Sequence, residues 1–175
     1  DLMDEIDWSD RLIGIKGTRG VGKTTFLLQY AKEKFGTDRS CLFINMNNFY
    51  FSGHSIVDFA YEFQRRGGKV LLIDQVFKYD GWSKELRMCY DRFPGLKIVF
   101  TGSSVMRLKE ENLELRDIVK SYNLRGFSFR EFLNLQTGMK FKAYTLDEIL
   151  RNHEQIAKGV LSKVKPLDYF QDYLH

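Results

Sequence analysis

The chain is 175 residues long, carries 27 Lys and Arg against 23 Asp and Glu, and is 43% hydrophobic, with 15 Phe and 9 Tyr. That length suits about one globular domain, and so apolar a composition excludes a disordered tail or a low-complexity linker. The net charge of +4 is spread evenly, with two positive charges in excess on each side of residue 100, so no basic face or arm of the kind that grips nucleic acid stands out. No apolar run approaches the ~18 residues of a membrane span, and no basic segment leads into an apolar stretch as in a secretory signal. No membrane partner is expected. Cys41 and Cys89 lack metal-ligand spacing and sit among apolar residues, so two buried, reduced thiols are expected rather than a disulfide. A chain that starts on Asp1 and stops at His175 is expected to be the front portion of something longer.

In chain order, apolar runs alternate with helical patterns. Arg11 to Lys16 reads as a strand leading into a Gly-rich stretch. From Thr24 to Phe35 the apolar residues Phe26, Leu27, Tyr30 and Ala31 recur at helical spacing, and Gly36 stops the helix. Cys41 to Met46 is a second strand. Ser55 to Gln64 is a second helix, with Ser55 as N-cap and Gly67-Gly68 as its end. Lys69 to Asp74 is the near-continuous apolar run expected of a strand covered on both faces. Trp82 to Arg92 is a third helix, Leu96 to Thr101 a fourth strand, and Ser121 to Leu124 a fifth. Strands alternating with helices predict a parallel sheet with its crossovers on both faces. After residue 126 the pattern becomes helical. Ser128 and Glu131 form a capping box, Thr145 and Glu148 repeat it ahead of a helix through Leu161, Pro166 interrupts, and Leu167 to Leu174 is a last helical segment. The pairs Arg65-Arg66 and Lys163-Val164-Lys165 read as solvated surface charge.

The strongest chemical signal is Gly17-Thr18-Arg19-Gly20-Val21-Gly22-Lys23-Thr24, which fits G-x-x-x-x-G-K-[ST] at every position, directly after a strand and opening a helix. Glycines let such a loop turn successive N–H groups into one concavity, and the helix N-terminus adds partial positive charge there. Lys23 is expected to reach the β- and γ-phosphates. The Thr24 hydroxyl is expected to join a Mg²⁺ shell, with Thr25 beside it closing the phosphate-binding stretch. A P-loop enzyme also needs an acid at the end of a buried strand to support hydrated Mg²⁺, and Asp74 is the candidate. The next residue, often the glutamate that polarises the attacking water, is Gln75. An amide cannot take the water's proton, and general-base help is typically worth about 10²–10⁴ in rate, so slow hydrolysis is expected, with Gln75 at best orienting water. Thr101-Gly102-Ser103-Ser104 follows the fourth strand, either as a hydroxyl source near the γ-phosphate or as a plain cap and turn.

Four stretches occur in an order that resembles one family: the loop Gly17 to Thr24, the strand ending in Asp74 with the Trp82 helix after it, Thr101 to Ser104, and Phe127-Ser-Phe-Arg-Glu-Phe-Leu133. They are similar to prokaryotic AAA-type ATPases that carry a C-terminal nuclease-like domain of unknown function. The resemblance covers essentially the whole chain. It implies a three-layer α/β P-loop NTPase core over residues 1–125 with a five-stranded parallel sheet, and a helical lid over 126–175 that stops before further domains. It also implies ATP and Mg²⁺ as cofactors, ATP and ADP as ligands, and a cytoplasmic location. A second copy or another protein is the expected partner, with nucleic acid engaged only through the missing C-terminal region. Departures cluster at one site. Gln75 replaces the family's Glu, Phe77 its common His, and Asn47 an Asp, while Asp117-Ile118 stand where a pair of arginines is usual, with Arg116 and Arg125 off the spacing. The resemblance therefore supports ATP binding more strongly than hydrolysis. A nucleotide-gated interaction module and a DNA-handling ATPase are the alternative readings.

Overall fold

A computed structural model describes residues 2–103 and 108–174. Five strands, β1 (Leu12–Gly17), β2 (Cys41–Asn45), β3 (Val70–Asp74), β4 (Lys97–Ser103) and β5 (Lys120–Asn123), form one all-parallel sheet in the order β2-β3-β4-β1-β5. After the short α1 (Leu2–Glu5), the helices α2 (Lys23–Lys34), α3 (Ile56–Arg65) and α4 (Trp82–Arg92) follow β1, β2 and β3 in turn, and the short α5 (Leu108–Glu111) lies between β4 and β5. The fold is thus the predicted α/β architecture.

The strand order explains where the helices go. The step from β1 to β2 runs one way along the sheet, and the later steps run back the other way. Right-handed crossovers then put α2 on one face and α3 and α4 on the opposite face. The core divides accordingly. Leu12, Leu71, Ile73, Ile98 and Phe100 pack with Ile56, Val57 and Ala60 of α3 and Leu86 and Cys89 of α4. Their neighbours in sequence, Ile13, Leu72 and Val99, turn to the other face and pack with Phe26, Leu27 and Tyr30 of α2, the period-2 alternation of strands. β3 is buried at all five positions, as its unbroken apolar run requires, and each such Leu or Ile stabilises the fold by about 1.5–3 kcal/mol. The outer strand β5 is mostly exposed and carries Lys120, Ser121 and Asn123, polar residues that discourage edge-to-edge pairing.

Two details tie the ends of the sheet down. Arg11 donates to the carbonyls of Tyr90 (2.8 Å) and Phe93 (3.0 Å) and lies 4.2 Å over the Tyr90 ring, satisfying the C-terminal end of α4. Trp8 stacks on Tyr30 at 3.9 Å and holds the N-terminal segment against α2. Both cysteines are free. Cys89 is buried and its thiol is pushed up to about 12, whereas Cys41, on the outer strand β2, is half-buried rather than enclosed and is raised to about 11, in both cases chiefly by burial.

The chain divides into two compact units, Asp1–Arg125 and Gly126–His175. The second is built from α6 (Phe129–Thr137), α7 (Leu146–Leu161, with a non-helical Asn152 inside it) and α8 (Leu167–Leu174). Both capping boxes form, with each N-cap hydroxyl accepting from the N3 amide and each Glu accepting from the N-cap amide. Phe129 meets Phe170 edge-on at 5.3 Å, and Tyr173 packs on Phe129 and Phe132 while its hydroxyl donates to the Phe127 carbonyl at 2.9 Å. Among the described residues no helix is long and apolar enough to cross a membrane.

Candidate functional site

The Gly-rich loop leaves β1 at Gly17, where the chain runs so close to its neighbour that a Cβ would lie 2.7 Å from the Leu124 carbonyl oxygen and 2.8 Å from the Val21 side chain. Only glycine fits there. Gly20 and Gly22 have φ of +81° and +95°, left-handed values that fold the loop back onto the start of α2. Gly22 is the N-cap of α2 and supplies no side-chain acceptor, and no acid occupies the first turn. The opening N–H groups of this twelve-residue helix are thus left to an anion, which the helix dipole favours at that end. Thr18, Arg19, Gly20, Thr24 and Thr25 are exposed, and Val21, Gly22 and Lys23 are half-buried.

Lys23 curls back over the loop, donating to the carbonyls of Gly17 (2.8 Å) and Thr18 (2.7 Å). Burial lowers the pKa of its amine below the ordinary lysine value, and the charge of Asp74 partly opposes that. The Thr24 hydroxyl donates to Asp74 Oδ2 at 2.8 Å, so the loop that follows β1 and the acid that ends β3 meet although β4 lies between their strands.

Asp74 is almost wholly buried, at 1% exposure, and the sheet explains how it is accommodated. Asn45, Asp74 and Thr101 lie two residues beyond Phe43, Leu72 and Val99, which face α2, so all three point to that same face at the C-terminal ends of adjacent strands. Asn45 pairs with Asp74 in register, and Thr101 follows the Ile73–Phe100 pair. Asn45 Nδ2 donates to Asp74 Oδ2 at 3.1 Å and Thr101 Oγ1 donates to Asp74 Oδ1 at 2.5 Å. With Thr24, three donors from three elements occupy three of about four lone-pair sites of the carboxylate.

Gln75 leaves β3 in the left-handed region (φ 54°, ψ 47°), the one non-glycine residue with positive φ among those described. Such a conformation costs an L-residue about 1–2 kcal/mol. Its backbone is held on both sides: its N–H donates to Thr101 Oγ1 at 2.9 Å and its carbonyl accepts from Lys78 N at 3.0 Å.

The sequence motifs thus converge, with Gly17 to Thr24, Asp74 and Gln75 at one end of the sheet. Two features differ from expectation. β4 continues through Ser103, and Thr101 is a fully buried strand residue whose hydroxyl is committed to Asp74 and Gln75 rather than to a loop beyond the strand. Ser104 lies outside the described residues. Asn45 belongs to no sequence motif. The available signal was an amide side chain closing an apolar strand, where Asp74 closes its neighbour.

The family profile described as an AAA domain matches residues 9–133. The chain belongs to the AAA domain family. That match runs from just before β1 to the end of Leu133 in α6 and takes in the whole sheet. No curated protein matches the chain. AAA domains are nucleotide-binding modules of P-loop ATPase type that generally take nucleotide together with Mg²⁺.

The donor set suits such a pair. Among the described residues no group of three His, Cys, Asp or Glu side chains forms a cation cage, and Mg²⁺ characteristically uses one or two protein oxygens plus substrate phosphates and water. The Thr24 hydroxyl donates its hydrogen bond to Asp74, which leaves the hydroxyl lone pairs available to a cation while the carboxylate stays alongside.

Proposed function

We propose that this AAA domain binds ATP with Mg²⁺ and hydrolyses it slowly or not at all. The observation that carries the proposal is the hydrogen bond from Thr24 to Asp74, which joins the phosphate-binding loop to a buried acid at the end of β3. In this reading the amides of Gly17 to Thr24 and the adjacent Thr25 enclose the phosphates, with Thr18, Arg19, Gly20, Val21 and Gly22 forming the rim. Lys23 transfers its hydrogen bonds from the loop carbonyls to phosphate oxygens, and its burial strengthens that charge pairing. Thr24 and Asp74 hold Mg²⁺, which when bound neutralises phosphate charge. Gln75 orients water without accepting its proton, because an amide has no basic site to match a carboxylate.

Lys23→Ala should weaken ATP binding at least about tenfold, the worth of a charge-assisted contact, in a titration by calorimetry. An unchanged affinity would sink the proposal. Gln75→Glu should raise single-turnover hydrolysis at least about tenfold. A flat response would place the limit elsewhere, at the arginines that Asp117 and Ile118 replace. Those two positions join other contacts here, since Asp117 pairs with Arg87 at 3.0 Å, and Arg116 and Arg125 are exposed.

A second reading, a nucleotide-gated interaction module, is favoured by one observation. The helical unit exposes Leu146, Leu150, Leu161 and Leu167 at 61–83%, apolar side chains that a protein partner would cover. Prolonged retention of uncleaved ATP in the same single-turnover assay would support it.

A further inference from the structure

Asp74 sits between Asn45, which belongs to no motif, and Thr101, which opens the stretch Thr101 to Ser104, and both aim a donor at it. We infer that Asn45 and Thr101 are positioning residues for the cation site, holding the Asp74 carboxylate in one orientation from the strands on either side, and that Thr101 also fixes the turn at Gln75. The inference rests on the proposed binding of ATP and Mg²⁺ and adds to it the residues that set the geometry of its acid.

A carboxylate at the end of a strand turns about a broad terminal torsion. Thr24 alone would fix it poorly, because that hydroxyl belongs to the loop side of the site and is itself a candidate cation ligand. Asn45 and Thr101 are different. Both stand on strands hydrogen-bonded into the sheet, the rigid kind of support that an accurate site needs. Thr101 holds Oδ1 at 2.5 Å and Asn45 holds Oδ2 at 3.1 Å, so the two oxygens are gripped separately. The Asn45 amide cannot reverse without loss, since its Oδ1 already accepts from the Asn47 N–H at 2.8 Å. Thr101 is fully buried and Asp74 nearly so, so water does not replace a lost donor readily. The Thr101 hydroxyl has a second task. It accepts from the N–H of Gln75 at 2.9 Å, and one oxygen thereby couples the direction of the acid to the left-handed backbone of the residue beside it. Removing the Thr101 hydroxyl therefore frees both at once, whereas removing the Asn45 amide frees only the carboxylate.

The test compares ATP affinity in saturating Mg²⁺ with ATP affinity in EDTA, for the full chain and for Thr101→Val, Thr101→Ser and Asn45→Leu. Outer contacts to a ligating carboxylate typically change metal affinity by about 10–100-fold. Thr101→Val and Asn45→Leu should thus cut the Mg²⁺ advantage about tenfold or more while leaving affinity in EDTA within about twofold. Thr101→Ser, which keeps the hydroxyl, should restore the wild-type ratio. A ratio that stays at the wild-type value in both variants overturns the inference. So does a parallel loss with and without Mg²⁺, as general loosening of the domain would produce. If circular dichroism shows that Thr101→Val does not fold, Asn45→Leu decides alone, because Asn45 is half-buried on an outer strand. Wild-type protein that binds no ATP would end the proposed function as well, whereas wild-type binding with unresponsive variants ends this inference only.

Discussion

In the sheet unit β3 buries all five of its residues, with Leu71, Leu72 and Ile73 at 0% exposure. In the helical unit α7 runs for sixteen residues with none buried, and Leu133 and Val164 are the buried apolar side chains among those described there. The first unit is held by a core shared between residues far apart in the chain, as where Phe26, Leu72 and Val99 join one cluster on the α2 face. The second leans on lighter devices: two capping boxes, each closed within its own turn, and one aromatic group in which Phe129 and Phe132 of α6 meet Phe170 and Tyr173 of α8. The contrast teaches where chemical accuracy is available. A site that must hold a carboxylate to a fraction of an ångström belongs on the layered unit, and Asp74, Asn45 and Thr101 all sit there.

The comparison is most easily broken by matched leucine truncations. Leu72→Ala should cost about 3 kcal/mol, within the 2–5 kcal/mol typical of a filled core position. Leu150→Ala, at a side chain 66% exposed, should stay within about 0.5 kcal/mol. Urea denaturation followed by circular dichroism measures both. Equal losses would mean that the surface around Leu150 is covered in solution, and the account of α7 as a helix without a buried face would fall.

The same contrast decides what could be read from the residues alone. Gly17 to Thr24 is identifiable because the spacing of its fixed Gly, Lys and Thr positions is set within one short loop, although the Leu124 carbonyl that leaves no room beyond a glycine at position 17 comes from far along the chain. The caps at Ser128 and Thr145 were identifiable for the same reason, since each box closes within four residues. Strand order was not, because periodicity reports which face a residue takes and is silent on which strand lies beside it. Asn45 and Thr101 depend on that order: they reach Asp74 only because β2 and β4 flank β3. Gln75 stands out for its chemistry, but its left-handed backbone leaves no mark in the sequence, as glutamine has no preference for that region and is kept there by Thr101 and Lys78. The short 3₁₀ turns Phe49–Ser52, Val76–Lys78 and Leu113–Leu115 also escaped, being too brief to show a period.

The smallest expected effect sharpens the comparison through acid. Glu131 is held below the ordinary glutamate value first by the Ser128 N–H and then by the Ser128 hydroxyl. Glu148 is held down first by the Thr145 N–H, then by Lys142 and the Thr145 hydroxyl. A carboxylate whose folded-state pKa is depressed stabilises the fold fully above its unfolded value, here 4.5, and loses that contribution as pH falls through the lower folded value. Acid should therefore loosen the first turns of α6 and α7 before it touches β3. Ser128→Ala should reproduce the loosening of α6 at neutral pH, at a cost of about 1 kcal/mol for the lost cap. Hydrogen exchange read by NMR between about pH 6 and about pH 3, corrected for the intrinsic rate, separates the two units. Protection near Phe129 and Leu146 should decline below 4.5 while that of Leu71 to Ile73 persists. Protection lost first in β3 would show that the caps are not what holds the helical unit, and that the difference between the two units has another origin.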